Sequence, residues 1–470
     1  MASRPCTIKV VDRRHVSPPP GSAANTSLPL SFFDYPWLLC RPMQRLFFYE
    51  LPFSTLHFTQ SILPSLRSSL SLTLKTFFPF AGNLVCPPSP HKPHILYTDG
   101  DSVPFIVAES CADFDGTIGC HARDVRDLHP FVPELPHARV VSGNRVQPLM
   151  AMQITVFPNS GISIGVTFSH VVADGRSFNH FMKTWASVLR SAGNSALPAT
   201  AMPFLERSAV QEKDPCGIES VFLNDWWSCA SNREDDHDQE QGYRDVFADK
   251  VRATFVIGGD DIERLKRRVI EKYEAELPLP RTSTFVVACA LVWTCLIKTQ
   301  QLIGSLKHQQ YADEFHYFCF VADCRNRPEL AIPATYLGNC LAICFVQMTG
   351  SELVGEDGVL AATKAIGNRV KEFEKGALKG AEKWISNWIE ISESGRLFTV
   401  AGSPKLRVYD TDFGWGRPKK TEVVHVDASA AIYIGDCRDE EGGIEMGLAL
   451  KRDEMEAFSG FFEQALKKPI

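Results

Sequence analysis

The sequence predicts an α/β protein of two domains, each built on a mixed β-sheet flanked by helices. Its 470 residues are more than one ordinary hydrophobic core encloses. Strand-like and helix-like segments alternate along the chain and include a hairpin, which is typical of mixed sheets covered by helices. This pattern is lost between Pro203 and Gly242, where Ser231–Gly242 is charged and polar like a solvated connection. We therefore predict an N-terminal domain (1–205), a crossover loop (206–242) and a C-terminal domain (243–470).

Hydrophobic spacing predicts the elements of the N-terminal half. Apolar residues from Ile62 to Leu74 recur at helical spacing. Two β-rich segments flank Pro158-Asn159-Ser160-Gly161, which indicates a hairpin. The predicted strands are Thr7–Val11, Arg45–Tyr49, Leu149–Val156 and Ile162–Thr167, and the predicted helices are Ser54–Thr73 and Phe178–Ala192.

The C-terminal half repeats the mixed pattern. Its longest apolar run, Phe285–Ile297, is shorter than the roughly 20 residues that a membrane-spanning helix needs, and it predicts a buried helix. The predicted strands are Val251–Ile257, Phe315–Ala322, Val423–Val426 and Ala431–Ile434, and the predicted helices are Asp260–Glu276, Thr284–Thr299, Leu360–Lys375 and Lys451–Leu466.

Composition argues against several classes of protein. A net charge of −6 gives no general positive field for nucleic acid or anionic lipid, so an anionic ligand needs a local basic cluster. The first residues interleave charged and apolar side chains, which does not fit a signal peptide. Fourteen cysteines without a CxxC pair indicate free thiols in a reducing compartment. We expect a cytoplasmic protein with no metal and with neither nucleic acid nor membrane as a partner.

The strongest candidate for chemistry is the segment Ser169–Gly175. Of the thirteen histidines, only His170 has an aspartate four residues later, Asp174. His170 ends a β-rich run just before a helix, where a rigid element presents a side chain to a cleft, and Gly175 permits a tight turn. Histidine titrates near neutral pH and can take a proton from a hydroxyl that attacks a carbonyl. A single HxxxD also fits a histidine with a purely structural role.

The second candidate is Asp412-Phe413-Gly414-Trp415-Gly416, where two glycines beside a tryptophan indicate a closely packed loop. Its DFG triplet also occurs in protein kinases, where the aspartate binds magnesium. A kinase needs in addition an upstream HRD loop, a Gly-rich phosphate loop and a strand lysine, and the sequence contains none of them. We therefore exclude kinase activity.

A third pattern, Gly161-Ile162-Ser163-Ile164-Gly165, matches the nucleophile elbow of hydrolases. That elbow requires a sharp strand-to-helix turn at the serine, but Val166–Phe168 continue a strand pattern. An ordinary strand is favoured. A serine esterase that uses Ser163 is the alternative from another class of function.

The pair His170–Asp174 and Asp412–Gly416 resembles the HxxxD and DFGWG motifs of the BAHD family of plant acyl-CoA-dependent acyltransferases. The similarity includes Leu28–Asp34 (LPLSFFD) and Phe78–Leu84 (FPFAGNL), and so spans nearly the whole chain. Two further motifs narrow the resemblance to a branch of the family. Tyr336-Leu337-Gly338-Asn339-Cys340 is similar to the YFGNC motif of the enzymes that acylate anthocyanins and flavonoid glucosides, with Leu337 in place of Phe. Val400–Pro404 (VAGSP) resembles the malonyltransferases of that branch.

The resemblance implies a chloramphenicol-acetyltransferase-like fold of two similar domains, joined by a long crossover and separated by a solvent channel. His170 would lie at the channel centre, reached by coenzyme A from one face and by the acceptor from the other. Asp174 would point away from the substrate and pair with Arg325 or Arg327. The Asp412–Gly416 loop would be structural. The family implies a monomer with acyl-CoA as co-substrate and no permanently bound cofactor.

The implied reaction is O-acyl transfer, of malonyl above all, from coenzyme A to a sugar hydroxyl of a flavonoid, anthocyanin or phenolic glucoside. His170 would deprotonate the hydroxyl in a ternary complex. A donor near Ser403 or a backbone N–H would stabilise the oxyanion. A hydroxycinnamoyl donor such as coumaroyl-CoA is the alternative within the family.

Basic residues are the candidates for binding the donor, since the phosphates of coenzyme A need cationic or N–H partners. These are Lys250, Arg252 and the group Arg281-Thr282-Ser283-Thr284, which lies at the start of a predicted helix. Arg176, two residues after Asp174, is the candidate for the malonyl carboxylate. Such an ion pair would distinguish malonyl from acetyl and coumaroyl groups.

Overall fold

A computed structural model gives the fold and describes residues 8–193, 201–214, 217–231, 247, 249–275, 279–304 and 314–467. Its strands alternate with helices along the whole chain. The strands are β1 (Ile8–Val16), β2 (Thr26–Pro29), β3 (Met43–Glu50), β4 (Asn83–Cys86), β5 (His94–Tyr97), β6 (Val103–Ser110), β7 (Arg123–Asp124), β8 (Arg139–Val141), β9 (Asn144–Pro148), β10 (Met150–Phe157), β11 (Gly161–Phe168), β12 (Lys250–Ile257), β13 (Phe315–Asp323), β14 (Leu341–Thr349), β15 (Leu397–Ala401), β16 (Lys420–Val423), β17 (Ala431–Asp436) and β18 (Ile444–Lys451).

Two large sheets organise these strands. One has the order β1-β6-β10-β11-β3-β16, and the other has the order β14-β13-β15-β17-β18-β12-β7. Both combine parallel and antiparallel pairs, as where β10 runs parallel to β6 and antiparallel to β11. A third sheet, β2-β5-β4-β9-β8, comes entirely from the N-terminal half. The predicted α/β fold with mixed sheets is confirmed.

Each large sheet contains one strand from the other half of the chain. β16 pairs with β3, with Val423 opposite Arg45. β7 pairs with β12, with Arg123 opposite Arg252. The two halves are therefore joined through backbone hydrogen bonds, and the domain boundaries at 205 and 242 stay a prediction of the sequence.

Helices cover these sheets, and one of them forms the centre of the C-terminal core. The longer helices are Leu63–Thr76, Gly175–Arg190, Ile218–Ser231, Gly259–Lys272, Thr284–Leu302, Gly358–Lys375, Trp384–Glu393 and Arg452–Lys467. Within the described residues, Thr284–Leu302 is the one helix long and apolar enough to cross a membrane. Its length, 19 residues, therefore does not set it apart from a membrane span. Its burial does, since Leu291 and Trp293 are fully enclosed by other parts of the fold.

Two predicted segments differ from the structure, whereas the other predicted strands and helices overlap observed ones. Ile218–Ser231 is a helix where the sequence predicts a loop. Its apolar residues occupy consecutive positions, Val221–Leu223 and then two tryptophans, so that no single stripe indicates a helix. The strand predicted at Val423–Val426 ends at Val423, and a 3-10 turn follows. Residues 232–242 of the predicted polar connection lie outside the described residues.

Candidate active site

His170 lies in the turn between the end of β11 and the helix Gly175–Arg190. The backbone N–H of Ser169 donates to the carbonyl of Leu149 (2.8 Å) and anchors the end of the strand. The imidazole stacks on the indole of Trp37, with ring centres 3.9 Å apart and planes 9° from parallel. The side chain is only partly exposed, so a substrate can reach the ring although much of it is desolvated.

Asn339 fixes the tautomer of His170. Its Nδ2 donates to Asp34 Oδ1 (2.9 Å) and to the carbonyls of His170 (2.8 Å) and Val171 (3.2 Å). All three partners are acceptors, which sets the orientation of the amide and leaves its Oδ1 facing His170 Nδ1 at 3.0 Å. Because an amide oxygen only accepts, Nδ1 must carry the proton. The lone pair is then on Nε2, as a general base requires.

Asp34 is the buried carboxylate that holds Asn339. Its Oδ1 accepts hydrogen bonds from the backbone N (3.2 Å) and Nδ2 (2.9 Å) of Asn339. Its Oδ2 accepts from the N–H and the hydroxyl of Ser31, each at 2.8 Å. A guanidinium nitrogen of Arg207 lies 3.8 Å away. One amide thus connects the Asp34 carboxylate to the imidazole of His170.

Desolvation determines the charge state of His170. Loss of hydration lowers the pKa of the imidazole to about 4, and the positive charge of Arg45 contributes in the same direction. Asp174 and the hydrogen bond with Asn339 raise the pKa, but by less. The imidazole is therefore neutral at neutral pH.

The aspartate of the HxxxD motif serves the backbone around the histidine. Among the described residues, Asp174 forms no hydrogen bond with the His170 ring. Its Oδ1 accepts from the N–H of Ser177 (2.9 Å) and caps the helix Gly175–Arg190. Its Oδ2 accepts from Arg325 (2.7 Å) and from the N–H of Cys340 (3.1 Å). These bonds tie the turn after His170 to the segment that carries Asn339.

Arg325 forms the ion pair with Asp174, and both side chains are fully inaccessible to solvent. Its Nη2 also donates to the carbonyls of Tyr336 and Gly338, each at 3.0 Å. Arg327, the other predicted partner, lies over the ring of Phe373 at 4.2 Å. The geometry thus selects one of the two arginines that the family resemblance leaves open.

Two cavities have a residue in their wall that contacts the imidazole of His170 or acts on it. The first, the apolar cavity, has Trp37, Trp384 and Trp388 in its wall. The second lies at the start of the Gly175–Arg190 helix and is called the polar cavity because Arg45 and Glu422 lie in its wall. Trp37 stacks on the imidazole and Arg45 acts on it electrostatically. The histidine therefore lies near an aromatic cavity and near a cavity that contains a cation.

The Asp412–Gly416 loop packs onto the N-terminal half. Oδ1 of Asp412 accepts hydrogen bonds from the backbone N of both glycines (2.7 and 2.9 Å), whose φ values of 97° and 85° glycine adopts without strain. Phe413 packs edge-on against Trp185 and Tyr49, with ring centres 4.8 and 5.7 Å apart. None of the hydrogen bonds or ring contacts described for the loop involves His170.

The surroundings of Arg252 argue against its predicted role in binding coenzyme A. Arg252 is fully buried and is ion-paired with Glu422 and Asp427, so a phosphate could reach it only by breaking those pairs. Lys250 beside it is partly exposed and donates to the carbonyl of Asp427 (3.1 Å). Burial lowers its pKa. Its role in binding coenzyme A stays a prediction.

The remaining predicted donor ligands lie on partly accessible segments. The Arg281–Thr284 group begins the helix as predicted, with the Ser283 hydroxyl accepting from Val286 N (3.4 Å) as its cap. Ser403 accepts from the N–H of Lys405 (3.3 Å) and is half-buried. Arg176 is 39% exposed and lies 2.6 Å from Asp323. The structure brings none of these side chains into contact with His170, and their roles stay predictions.

A nucleophile elbow at Ser163 is excluded. Ser163 lies within β11 opposite Thr155, and its side chain is fully buried. The strand continues to Phe168 without a turn. The serine esterase alternative therefore has no accessible nucleophile at this position.

Four residues of the site have no chemical role in the prediction from sequence: Asp34, Trp37, Arg45 and Asn339. Asp34 and Asn339 enter it only as parts of motifs. An aspartate directly after the largely apolar run Leu28–Phe33 is a signal that could have indicated a structural or catalytic partner. No sequence signal indicates which residue it meets, because Asp34 and Asn339 are 305 positions apart.

The fold and the HxxxD histidine together define an acyltransferase of the two-domain, chloramphenicol-acetyltransferase-like class. Crystalline vinorine synthase has this fold, with a TM-score of 0.67 at 20% identity over 96% of both chains. A coumaroyl-CoA:anthocyanidin 3-O-glucoside-6''-O-coumaroyltransferase of Arabidopsis thaliana is 40% identical over 98% of both chains. A malonyl-coenzyme A:anthocyanin 3-O-glucoside-6''-O-malonyltransferase of Dahlia pinnata is 35% identical, also over 98% of both.

The model of the Transferase family matches residues 6–465. The chain therefore belongs to this family, the BAHD acyltransferases, as the motif pair indicates. It is an acyl-CoA-dependent acyltransferase with acyl-CoA as co-substrate and a small molecule as acceptor.

Proposed function

We propose that this enzyme transfers a malonyl group from coenzyme A to a sugar hydroxyl of a flavonoid, anthocyanin or phenolic glucoside, with His170 as general base. The observation that carries the proposal is the hydrogen-bond chain from Asp34 through Asn339, which leaves Nε2 of His170 unprotonated on a partly exposed side chain. A neutral imidazole with a free lone pair can accept the proton of an attacking hydroxyl.

His170 moves one proton in each direction during the reaction. Nε2 takes the hydroxyl proton while the hydroxyl oxygen bonds to the thioester carbonyl carbon. The imidazolium is stabilised by Asn339 and, through it, by the carboxylate of Asp34. When the tetrahedral intermediate collapses, the C–S bond breaks and Nε2 returns the proton to the departing thiolate. A thioester is already activated, so a covalent acyl-enzyme is not required.

The polar cavity suits the donor. Leu406 in its wall follows Ser403 in the same loop, which supports the proposal that Ser403 or a backbone N–H of this loop stabilises the oxyanion. Asp174 acts as a positioning residue in this scheme, because its bonds hold the turn rather than the imidazole.

The apolar cavity suits an aromatic aglycone. Three tryptophans in its wall provide flat apolar faces, and Trp37 also stacks on His170. The acceptor named for both the Arabidopsis and the Dahlia relative is a 3-O-glucoside acylated at the 6'' oxygen. This supports a primary sugar hydroxyl as the nucleophile.

The donor has two candidates. The Dahlia relative and the VAGSP segment Val400–Pro404 support malonyl-CoA. The Arabidopsis relative, which is more similar to this chain, supports the hydroxycinnamoyl alternative. We further propose a cytoplasmic monomer, which size-exclusion chromatography with light scattering and a fluorescent fusion in plant cells would test.

The test is to incubate the purified enzyme with malonyl-CoA or coumaroyl-CoA and a panel of flavonoid and phenolic glucosides. Thiol release and product mass are followed, with His170→Ala as the inactive variant and His57→Ala, at an exposed position, as its control. We expect a malonylated glucoside from wild type and from the control only. Transfer undiminished in His170→Ala would refute the role of the base. Product from coumaroyl-CoA alone would replace the donor and keep the mechanism.

A further inference from the structure

The wall of the polar cavity contains a partly buried cation on strand β3, next to the edge strand β16. Arg45 lies on this strand between Val166 of β11 and Val423 of β16. Its guanidinium carbon is 5.9 Å from the centre of the Tyr433 ring. Gly175, which directly follows Asp174, lies in the same cavity wall. The backbone of the sheet therefore holds Arg45 in place beside the turn that carries His170.

The charge of Arg45 is not neutralised by a partner. Among the described residues, no carboxylate lies within ion-pair distance of its guanidinium, and none accepts a hydrogen bond from it. Its Nε is a buried donor without a partner. The groups that act electrostatically on Arg45 are Tyr433 and Arg252, and Arg45 in turn acts on His170 and His425; none of these four is a carboxylate. Burial lowers the pKa of Arg45 to about 10, so it stays charged at neutral pH.

The other buried cations near this cavity are paired. Arg252 contacts Glu422 and Asp427, Arg123 contacts Glu422, and Lys420 contacts Glu445. Glu422 also lies in the cavity wall, but its two arginines compensate its charge, and they hold its pKa near 2. The cavity is thus left with one uncompensated positive charge. An unpaired buried charge is costly unless a ligand supplies its counterion.

Arg176, the residue indicated by the sequence, differs from Arg45 in these respects. Its guanidinium lies 2.6 Å from Asp323, and 39% of the side chain is exposed. It is not part of the wall of either cavity. A carboxylate ligand would have to displace Asp323 to bind it.

We infer that Arg45 forms a binding subsite for a free carboxylate on the acyl group of the donor, and so selects a dicarboxylic acyl-CoA such as malonyl-CoA over acetyl or coumaroyl donors. This inference rests on the proposed acyl transfer at His170 and specifies its donor. In a malonyl thioester a single methylene separates the carboxylate from the reacting carbonyl. The cation that binds it must therefore lie close to the base, and Arg45 is close enough to depress the pKa of His170.

Such a subsite would disfavour donors without a carboxylate. An acetyl or coumaroyl group in the cavity would displace water from Arg45 without replacing its hydrogen bonds. A site built to pair with a charged group discriminates strongly against analogues that lack it. Bidentate pairing with a carboxylate is the geometry that the planar guanidinium favours.

The experiment compares malonyl-CoA with acetyl-CoA, which differ only by the carboxylate. Calorimetric binding of each donor is measured without acceptor for wild type, Arg45→Met, Arg45→Lys, Arg176→Met and the exposed control Arg14→Met. Transfer kinetics with a glucoside acceptor follow for the same set. We expect wild type and both control arginine variants to prefer malonyl-CoA. Arg45→Met should lose this preference, with a fall of roughly 100-fold in kcat/KM for malonyl-CoA and less than about threefold for acetyl-CoA.

The binding measurement separates failure of the subsite from failure of the proposed acceptor, because it needs no acceptor. Equal affinity of wild type for the two donors would overturn the subsite, as would a preference lost in Arg176→Met and kept in Arg45→Met. Transfer from coumaroyl-CoA but not from malonyl-CoA would overturn the subsite and leave acyl transfer intact. If Arg45→Met does not fold, Arg45→Lys should keep only part of the preference, because its charge remains but the planar, bidentate geometry of the guanidinium is lost. A full wild-type preference in Arg45→Lys would then refute the inference.

Discussion

Two buried aspartates lie on either side of the catalytic turn and do different things. Asp174, in the motif, caps a helix and pairs with Arg325 without touching the imidazole. Asp34, far away in sequence, reaches the imidazole through the amide of Asn339. The comparison shows that the aspartate close to the histidine in sequence stabilises the backbone of the turn. The carboxylate that acts on the ring comes from another segment.

Substitutions around Asp174 should have their largest effect on stability. Arg325→Met leaves Asp174 buried without its counterion and several carbonyls without a donor, and we expect a loss of about 3–5 kcal/mol of unfolding free energy. Denaturant melts followed by circular dichroism measure it. Arg327→Met is the control two residues away, with an expected loss of about 0.5–1 kcal/mol from its contact with Phe373. Equal losses in the two variants would remove the contrast between the aspartates.

Substitutions in the hydrogen-bond chain from Asp34 through Asn339 should have their largest effect on turnover. Asn339→Ala removes the acceptor that fixes the Nδ1–H tautomer, and we expect kcat to fall by about 100-fold, as for other mispositioned general bases. KM for the acyl-CoA should hardly change, because the amide does not line the polar cavity. Asn224→Ala, at an exposed helical position, is the control. An unchanged kcat, or a fall matched by KM, would argue for a structural role alone.

Asp34→Asn is a smaller change in the same hydrogen-bond chain. The amide keeps the shape of the carboxylate but removes the charge that stabilises the imidazolium, and we expect kcat to fall about tenfold, or about 1.4 kcal/mol. Asp439→Asn, at an exposed position, should leave kcat unchanged. A fall in stability without any fall in kcat would mean that Asp34 is structural like Asp174, and the contrast between the two aspartates would be wrong.

The smallest expected effect is the position of the acid limb of the pH–rate profile, which reports the pKa of His170. The neutral imidazole is the active form, and burial lowers its pKa to about 4, so activity should stay level on acidification well below 6.5 and decline toward pH 4. Arg45 also lowers this pKa, so Arg45→Met should move the limb to higher pH. Initial rates in constant-ionic-strength buffers measure both. A wild-type limb near 6.5 would mean that the imidazole is hydrated like a free histidine.

The sequence predicted the parts of the site that depend on neighbouring residues. His170 between a strand and a helix, and the helix start at Thr284, follow from periodicity and caps within a few positions. It also offered Arg325 and Arg327 as partners of Asp174. The sequence could not show which of the two arginines pairs with Asp174, because this depends on the path of β13 and of the turn that follows it.

What the sequence could not predict depends on pairing between distant segments. Arg45 looked like an ordinary strand residue, and only the sheet order places it beside His170 and away from any acid. The sequence predicts Arg252 as a candidate ligand of the coenzyme A phosphates. Its strand, β12, is covered by the β16 segment, whose Glu422 neutralises it inside the protein.

The exchange of β16 also has a consequence for synthesis on the ribosome. Strand β3 is made early, but its neighbour β16 begins only at Lys420, near the end of the chain. At about 5–20 residues per second, β3 waits roughly 20–70 s for its partner, with apolar residues and unpaired backbone groups on an open edge. The nascent first half therefore depends on protection, by a chaperone or by its own transient pairing, until almost the entire polypeptide has emerged.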